Sequence, residues 1–267
     1  MKYKFGFIGC GNMGGALCGA VASNPEKYSI CVCDSDKTKT DNFEKNFDNV
    51  KAADVHELIK NSEYVFLGVK PQSLAGLFES IKDDLSARRD IVLISMAAGK
   101  SIADIEKLSG INPAVIRIMP NTPVSVGKGV ILYDFNDKVS DKNISDFTAA
   151  LFCAGTVSHL DESKIDAAGA LSGCGPAFVY MFIEALADGA VMCGVSRKDA
   201  LLYAAATVEG AARLALESDK HPEELKDNVC SPGGTTIAGV KALEDSAFRA
   251  AAINAVVAAY EKTLKLK

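Results

Sequence analysis

Apolar positions along the chain follow two regimes. Before residue 160 they gather in short runs that read as strands, at 5–8, 64–69, 91–95 and 114–119, the run at 64–69 being continuous, with an alternating strand at 29–33. Between them lie mixed polar segments of helical composition, such as 54–59 and 141–152. A run that is apolar at every position is a strand covered on both faces, and strands alternating with helices make βαβ units. Residues 130–132 and 156–158 form two weaker runs that read as edge strands. Together these predict a doubly wound, mostly parallel sheet over 1–160.

From residue 161 to 267 the pattern is helical. Segments 165–171, 177–193, 198–216, 223–229, 236–243 and 248–264 follow one another with no strand between them. Segments 177–193 and 200–216 are alanine-rich and apolar nearly all round. Helices of that kind must be buried, and a domain of about 105 residues offers them little core of its own. A second copy of the chain would cover them, so an obligate dimer through 161–267 is expected. The fold class is α/β, a doubly wound sheet followed by an all-α domain.

Candidate chemistry sits where apolar runs end. The first run leads into Gly9-Cys10-Gly11-Asn12-Met13-Gly14, and helical composition follows at 16–22. In a strand–turn–helix setting the first glycine makes the tight turn and the second admits a pyrophosphate. The third lets helix pack on strand, and the helix N-terminus supplies free N–H groups. Asp34 closes the second run, twenty residues past Gly14. A carboxylate there can accept from an adenosine ribose hydroxyl and would repel a 2′-phosphate. Lys37 and Lys39 follow and could reach such a phosphate, so NADH and NADPH both stand as cofactors. Lys70-Pro71, Ala97-Ala98-Gly99 and Pro120-Asn121-Thr122-Pro123 occupy later strand ends, where open α/β sheets bind ligands. Gly99-Lys100-Ser101 lacks the upstream glycine of a phosphate-binding P-loop, Ile94 standing in its place.

Two breaks interrupt the helical half, Leu171-Ser172-Gly173-Cys174-Gly175-Pro176-Ala177 and Asp227-Asn228-Val229-Cys230-Ser231-Pro232-Gly233-Gly234-Thr235-Thr236. In the second, small residues keep side chains clear while Thr235 and Thr236 open a helix. Its N–H groups would suit a small carboxylate; a helix connector capped by Ser231 or Thr235 is the plainer reading. Apart from Asp227, neither break contains a His, Lys or carboxylate placed to act as a strong acid. Ketone reduction leaves an alkoxide that needs a proton in the transition state. Reduction of a protonated cyclic imine leaves a neutral amine and needs only orientation and a hydrogen bond, so the residue types favour C=N reduction.

Composition narrows the class. A net charge of −5 argues against nucleic acid or an anionic membrane as partner. Three histidines, at 56, 159 and 221, lack ligand spacing, so no metal is expected. Eight cysteines without a CxxC pair read as reduced thiols, which with the absence of a long uninterrupted apolar segment points to the cytoplasm. The basic start and Ala20-Val21-Ala22 imitate a cleaved signal, but the intervening stretch is glycine-rich and contains Asn12.

The motifs taken together resemble the pyrroline-5-carboxylate reductases. They are Phe7-Ile8-Gly9-x-Gly11-Asn12-Met13, Val69-Lys70-Pro71, Ala97-Ala98-Gly99, Met119-Pro120-Asn121-Thr122-Pro123, Leu171-Ser172-Gly173-x-Gly175-Pro176-Ala177 and Leu225-Lys226-Asp227-Asn228-Val229 with the Ser231–Thr236 loop. The resemblance implies a Rossmann domain and an interlocked helical dimer, often assembled further into a ring of dimers. It also implies NAD(P)H-dependent reduction of 1-pyrroline-5-carboxylate to L-proline. By the same resemblance Ile8, Gly9, Gly11, Asn12 and Met13 cradle the pyrophosphate. Lys70, Pro71, Ala97, Ala98 and Gly99 line the nucleotide, and Asn121 lies near the nicotinamide. Ser231, Gly233, Gly234, Thr235 and Thr236 bind the substrate, with Thr236 as the catalytic partner of the ring nitrogen. Cys174, Cys230 and Asp34 depart from the usual residues of that family. A β-hydroxyacid dehydrogenase would need a lysine with asparagine four residues on, which no helix of the second half carries.

Overall fold

Among the described residues eight strands form one sheet: β1 (Tyr3–Ile8), β2 (Ile30–Cys33), β3 (Val50–Ala52), β4 (Ser62–Leu67), β5 (Val92–Ser95), β6 (Ala114–Pro120), β7 (Gly129–Phe135) and β8 (Gly155–His159). Their order is 3-2-1-4-5-6-7-8. The structure is a computed structural model that describes residues 2–24, 26–88 and 90–265. Six strands from β3 to β6 run parallel; β7 is antiparallel to β6, and β8 is parallel to β7. The continuous apolar runs are covered on both faces, as parallel strands require. In β4, Tyr64 and Phe66 join one core with Phe5, Phe7 and Leu17, while Val65 and Leu67 join another with Leu58, Leu74 and Phe78. Phe7 and Phe66 stack across neighbouring strands with centroids 4.3 Å apart.

Helices connect these strands: α1 (Asn12–Ala22), α2 (Lys37–Asn46), α3 (Val55–Asn61), α4 (Leu74–Ser80), α5 (Lys82–Ser86), α6 (Ile102–Ser109) and α7 (Asp141–Leu151). Side chains mark several of their starts. Asp54 accepts from the Glu57 N–H at 2.8 Å, and Ser101 and Asp104 cap α6 reciprocally.

By contacts the chain divides into two compact units, residues 1–174 with 260–267, and residues 175–259. The helix that follows β8, α8 (Glu162–Ser172), belongs to the sheet unit. Asp134 of β7 accepts from the Glu162 N–H at 2.6 Å, and Gly169 leaves room for the Met119 side chain of β6.

The second unit is helical: α9 (Gly175–Met192), α10 (Arg197–Glu217), α11 (Pro222–Val229), α12 (Thr235–Asp245) and the larger part of α13 (Phe248–Leu264). Its buried core in the single chain is Ala187, Ala200 and Ala204, with Ile183, Ala190, Val191 and Val195 partly buried around them. Met181, Leu202, Tyr203 and Ile253 are each 60 % or more exposed. Apolar area on that scale marks a surface made to be covered.

Candidate active site

The strand order reverses between β1 and β4, and ligands of open α/β sheets bind at the carboxyl ends of strands at such a reversal. Gly9 follows β1 and Gly68 follows β4. A Cβ on Gly68 would lie 2.5 Å from the Gly9 carbonyl oxygen, and one on Gly14 would overlap the same atom. Gly9 also holds φ at 93°, a region side chains rarely enter. The three glycines therefore let two strand ends and a helix start share one point. Gly68 is absent from the residues singled out in the sequence; its signal is its place directly after a continuous apolar strand.

This turn delivers the N-terminus of α1 without a capping side chain, Gly11 being the N-cap. A Cβ on Gly11 would meet nothing within 4 Å, so the space before the helix end is open. First-turn N–H groups and the positive end of the helix dipole favour phosphate there. The cradle fits a dinucleotide, with Ile8 ending β1 and Asn12 and Met13 starting α1. Burial, reinforced by the Asp34 carboxylate, pushes the Cys10 thiol up to about 12, so it stays protonated.

Asp34 stands next to that turn. Its Oδ2 accepts from the Cys10 N–H at 2.6 Å, and its Oδ1 accepts from the Asp36 N–H at 2.9 Å and faces Lys39 Nζ at 3.4 Å. Burial raises its pKa, yet the two backbone donors and Lys39 outweigh burial and hold it below the usual value. Lys70 and Pro71 begin the short helix after β4, Lys70 being exposed. Ala97 is buried, while Ala98 and Gly99 form the turn before α6. Ser101 is occupied in capping α6, which fits the absence of a P-loop.

Asn121 is buried at the end of β6. Its Nδ2 donates to the Ser172 carbonyl at 2.9 Å, and its Oδ1 accepts from the Val130 N–H at 2.8 Å. The carboxamide thus joins β6, β7 and the end of α8. Both of these hydrogen bonds go to backbone groups of the protein itself.

In the helical unit, the loop between α11 and α12 closes through the Gly234 N–H donating to the Ser231 carbonyl at 3.0 Å. Gly233 has φ of 69°, and Gly234 is an N-cap without a side-chain hydrogen bond. Ser231, Thr235 and Thr236 are exposed around this uncapped end of α12. The nearby cation Lys226 is engaged by Glu223 at 2.6 Å and Asp227 at 3.4 Å. What this loop offers a ligand is hydroxyls and backbone donors, an arrangement for a small carboxylate.

Comparison with known proteins accounts for both halves. A family model described as pyrroline-5-carboxylate reductase dimerisation matches residues 162–266, and one described as NADP oxidoreductase, coenzyme F420-dependent, matches residues 4–99. The pyrroline-5-carboxylate reductase of Escherichia coli (strain K12) is 37% identical over 268 residues, spanning 100% of this chain and 99% of that protein. A solved pyrroline-5-carboxylate reductase from Coxiella burnetii is 34% identical with a TM-score of 0.91, covering 100% of this chain and 99% of its own. The Plasmodium falciparum pyrroline carboxylate reductase, solved with NADP bound, is 32% identical with a TM-score of 0.85 and 98% coverage of each chain. Since the likeness runs unbroken from the glycine cradle through the dimerisation helices, this chain belongs to the pyrroline-5-carboxylate reductase family.

Proposed function

We infer that the chain catalyses NAD(P)H-dependent reduction of 1-pyrroline-5-carboxylate to L-proline. The observation that carries this is the pairing, in one family member, of an open glycine cradle at α1 with an uncapped helix start at Gly234. Bound NAD(P)H supplies the hydride that reduces the C=N carbon.

This chain's residues do the rest. Ile8, Gly9, Gly11, Asn12 and Met13 hold the pyrophosphate, Asp34 meets the adenosine ribose, and Lys70, Pro71, Ala97, Ala98 and Gly99 border the nucleotide. Asn121 shapes the strand end nearest the nicotinamide. Gly233, Gly234 and the N–H groups of Thr235 and Thr236 take the substrate carboxylate, with the Ser231 hydroxyl beside them. The protonated ring nitrogen donates to Thr236 Oγ1. When hydride adds to carbon, the π electrons move to nitrogen and leave a neutral amine. No side chain has to deliver a proton in that step, which agrees with a loop built of hydroxyls and backbone groups.

The exposed apolar faces of α9, α10 and α13 support an obligate dimer through residues 161–267 that can associate further into a ring. Residues 162–192 are apolar enough by composition to cross a membrane. Gly169 is nevertheless packed on Met119 of the sheet, which supports burial between protein surfaces. All eight cysteines are free, in keeping with a cytoplasmic enzyme. The test is the loss of reduced-nicotinamide absorbance when 1-pyrroline-5-carboxylate is added. Steady absorbance with both nucleotides would remove the reading.

A further inference from the structure

Three hydrogen-bond donors at the turn from β2 to α2 are already matched to acidic side chains of the chain. The Asp36 N–H donates to Asp34, and the Thr38 N–H and hydroxyl donate to Asp36 Oδ1 at 3.0 and 2.6 Å. Asp36 is the N-cap of α2, so the helix end that would greet a phosphate holds a resident carboxylate. Lys39 is shared between the two acids, 3.4 Å from Asp34 and 4.0 Å from Asp36. Among the described residues Lys37 makes no ion pair, and it is exposed to water. Two carboxylates and two lysines leave this corner with no cationic surplus.

We propose that this corner selects NADH over NADPH, Asp34 accepting from the adenosine ribose hydroxyls while Asp36 occupies the donors a 2′-phosphate would need. The proposal rests on the reductase reading of the glycine cradle and names the cofactor it takes. Asp34 has the geometry for it. Its contact with the Cys10 N–H places the carboxylate against the pyrophosphate turn. A carboxylate has about four acceptor sites, so the bonds already made leave capacity for a hydroxyl. A phosphate monoester brings about −1.5 to −2 charges. It would meet two like charges and find the Asp36 and Thr38 N–H groups already bonded, whereas a neutral hydroxyl donor meets an acceptor. Both acids are held below their usual pKa. For Asp34 burial opposes this and the backbone donors prevail; for Asp36 the Thr38 hydroxyl leads.

Binding is measured on the full-length protein without substrate, from the fluorescence change of each reduced nucleotide. NADH is expected to bind at least about tenfold tighter than NADPH, like-charge repulsion being the discriminating effect. Asp36→Asn keeps an N-cap acceptor and removes the charge, and is expected to narrow the ratio by about threefold. Asp34→Ser is expected to close or invert it. Lys37→Ala should leave it unmoved. Equal binding of the two nucleotides, a ratio unchanged in both acidic variants, or selective loss of NADPH binding in Lys37→Ala would each overturn the proposal. Turnover of 1-pyrroline-5-carboxylate, followed in parallel, separates the two readings. A ratio of one with turnover intact removes only the selector. A preserved NADH preference without turnover removes only the reductase and upholds the selector.

Discussion

Arg117 of β6 and Asp166 of α8 face each other at 2.6 Å with side chains 6% and 7% exposed. Glu162, one turn earlier on α8, adds a second contact to Arg117 at 3.1 Å. Removing Asp166 takes the closer and more buried partner from the guanidinium and leaves it to Glu162 alone; the full loss of a buried partner costs about 3–5 kcal/mol, so a large part of that is expected. Asp166→Ala is therefore expected to lower the urea midpoint of unfolding sharply, and Arg117→Met with Asp166→Leu to recover most of the loss. A single variant as stable as the unmodified protein would show that α8 is held to the sheet without help from this ion pair.

Asn121 invites a different separation. Its carboxamide serves the Ser172 carbonyl and the Val130 N–H, so Asn121→Ala leaves two backbone groups unmatched. About 1–3 kcal/mol of stability should go with each. Denaturation and kinetics on the same variant distinguish the two roles. A fall in stability matched by a fall in kcat/KM fits a residue that positions the end of β6. Unchanged stability with a loss of kcat would make Asn121 a direct contact of the nicotinamide.

Much of this architecture is legible in the residue pattern, and the exceptions have physical causes. The buried strands β1, β4, β5 and β6 are found where the apolar runs put them, although β6 also carries the buried Arg117. The strand β3 has three residues, Val50, Lys51 and Ala52, too few to show a period. The antiparallel direction of β7 depends on the short turn at Thr122–Val126 rather than on its own composition. At the site, Gly9 and Gly14 announce themselves by spacing, but Gly68 matters only because the fold brings β4 beside β1. The acceptor role of Asp34 toward the glycine turn is likewise tertiary, joining residues 24 apart in sequence.

Acid should loosen the N-terminal edge of the sheet unit. Burial would raise the pKa of Asp146, but hydrogen bonds from Lys142, Lys4 and the Tyr64 hydroxyl bring it from the ordinary 3.8 to about 2. A carboxylate whose folded pKa is depressed contributes stability that is complete above its unfolded value and is lost as pH falls through the folded one. The contribution should thus be intact above about pH 4 and decline toward pH 2. Thermal unfolding as a function of pH checks this. Asp146→Asn should flatten the decline in that window, and an unaltered acid profile would assign the loss to other carboxylates.

Thr236 opens α12 beside the uncapped Gly234. Losing one hydrogen bond to a charged group costs about 1.5–3 kcal/mol, or about tenfold to a hundredfold in rate. Thr236→Ala is expected to lower kcat/KM by that factor and to leave NADH and NADPH affinity nearly unchanged. Equal loss of turnover and nucleotide affinity would make Thr236 a structural residue.

The central claim is hydride delivery to the imine carbon of a cyclic amino acid, and isotope transfer tests it most directly. With NADH or NADPH deuterated at both C4 positions, the L-proline formed should carry one deuteron on the ring carbon that was double-bonded to nitrogen, one for each nucleotide oxidised. Proline free of deuterium, or nucleotide oxidation without proline, would contradict it.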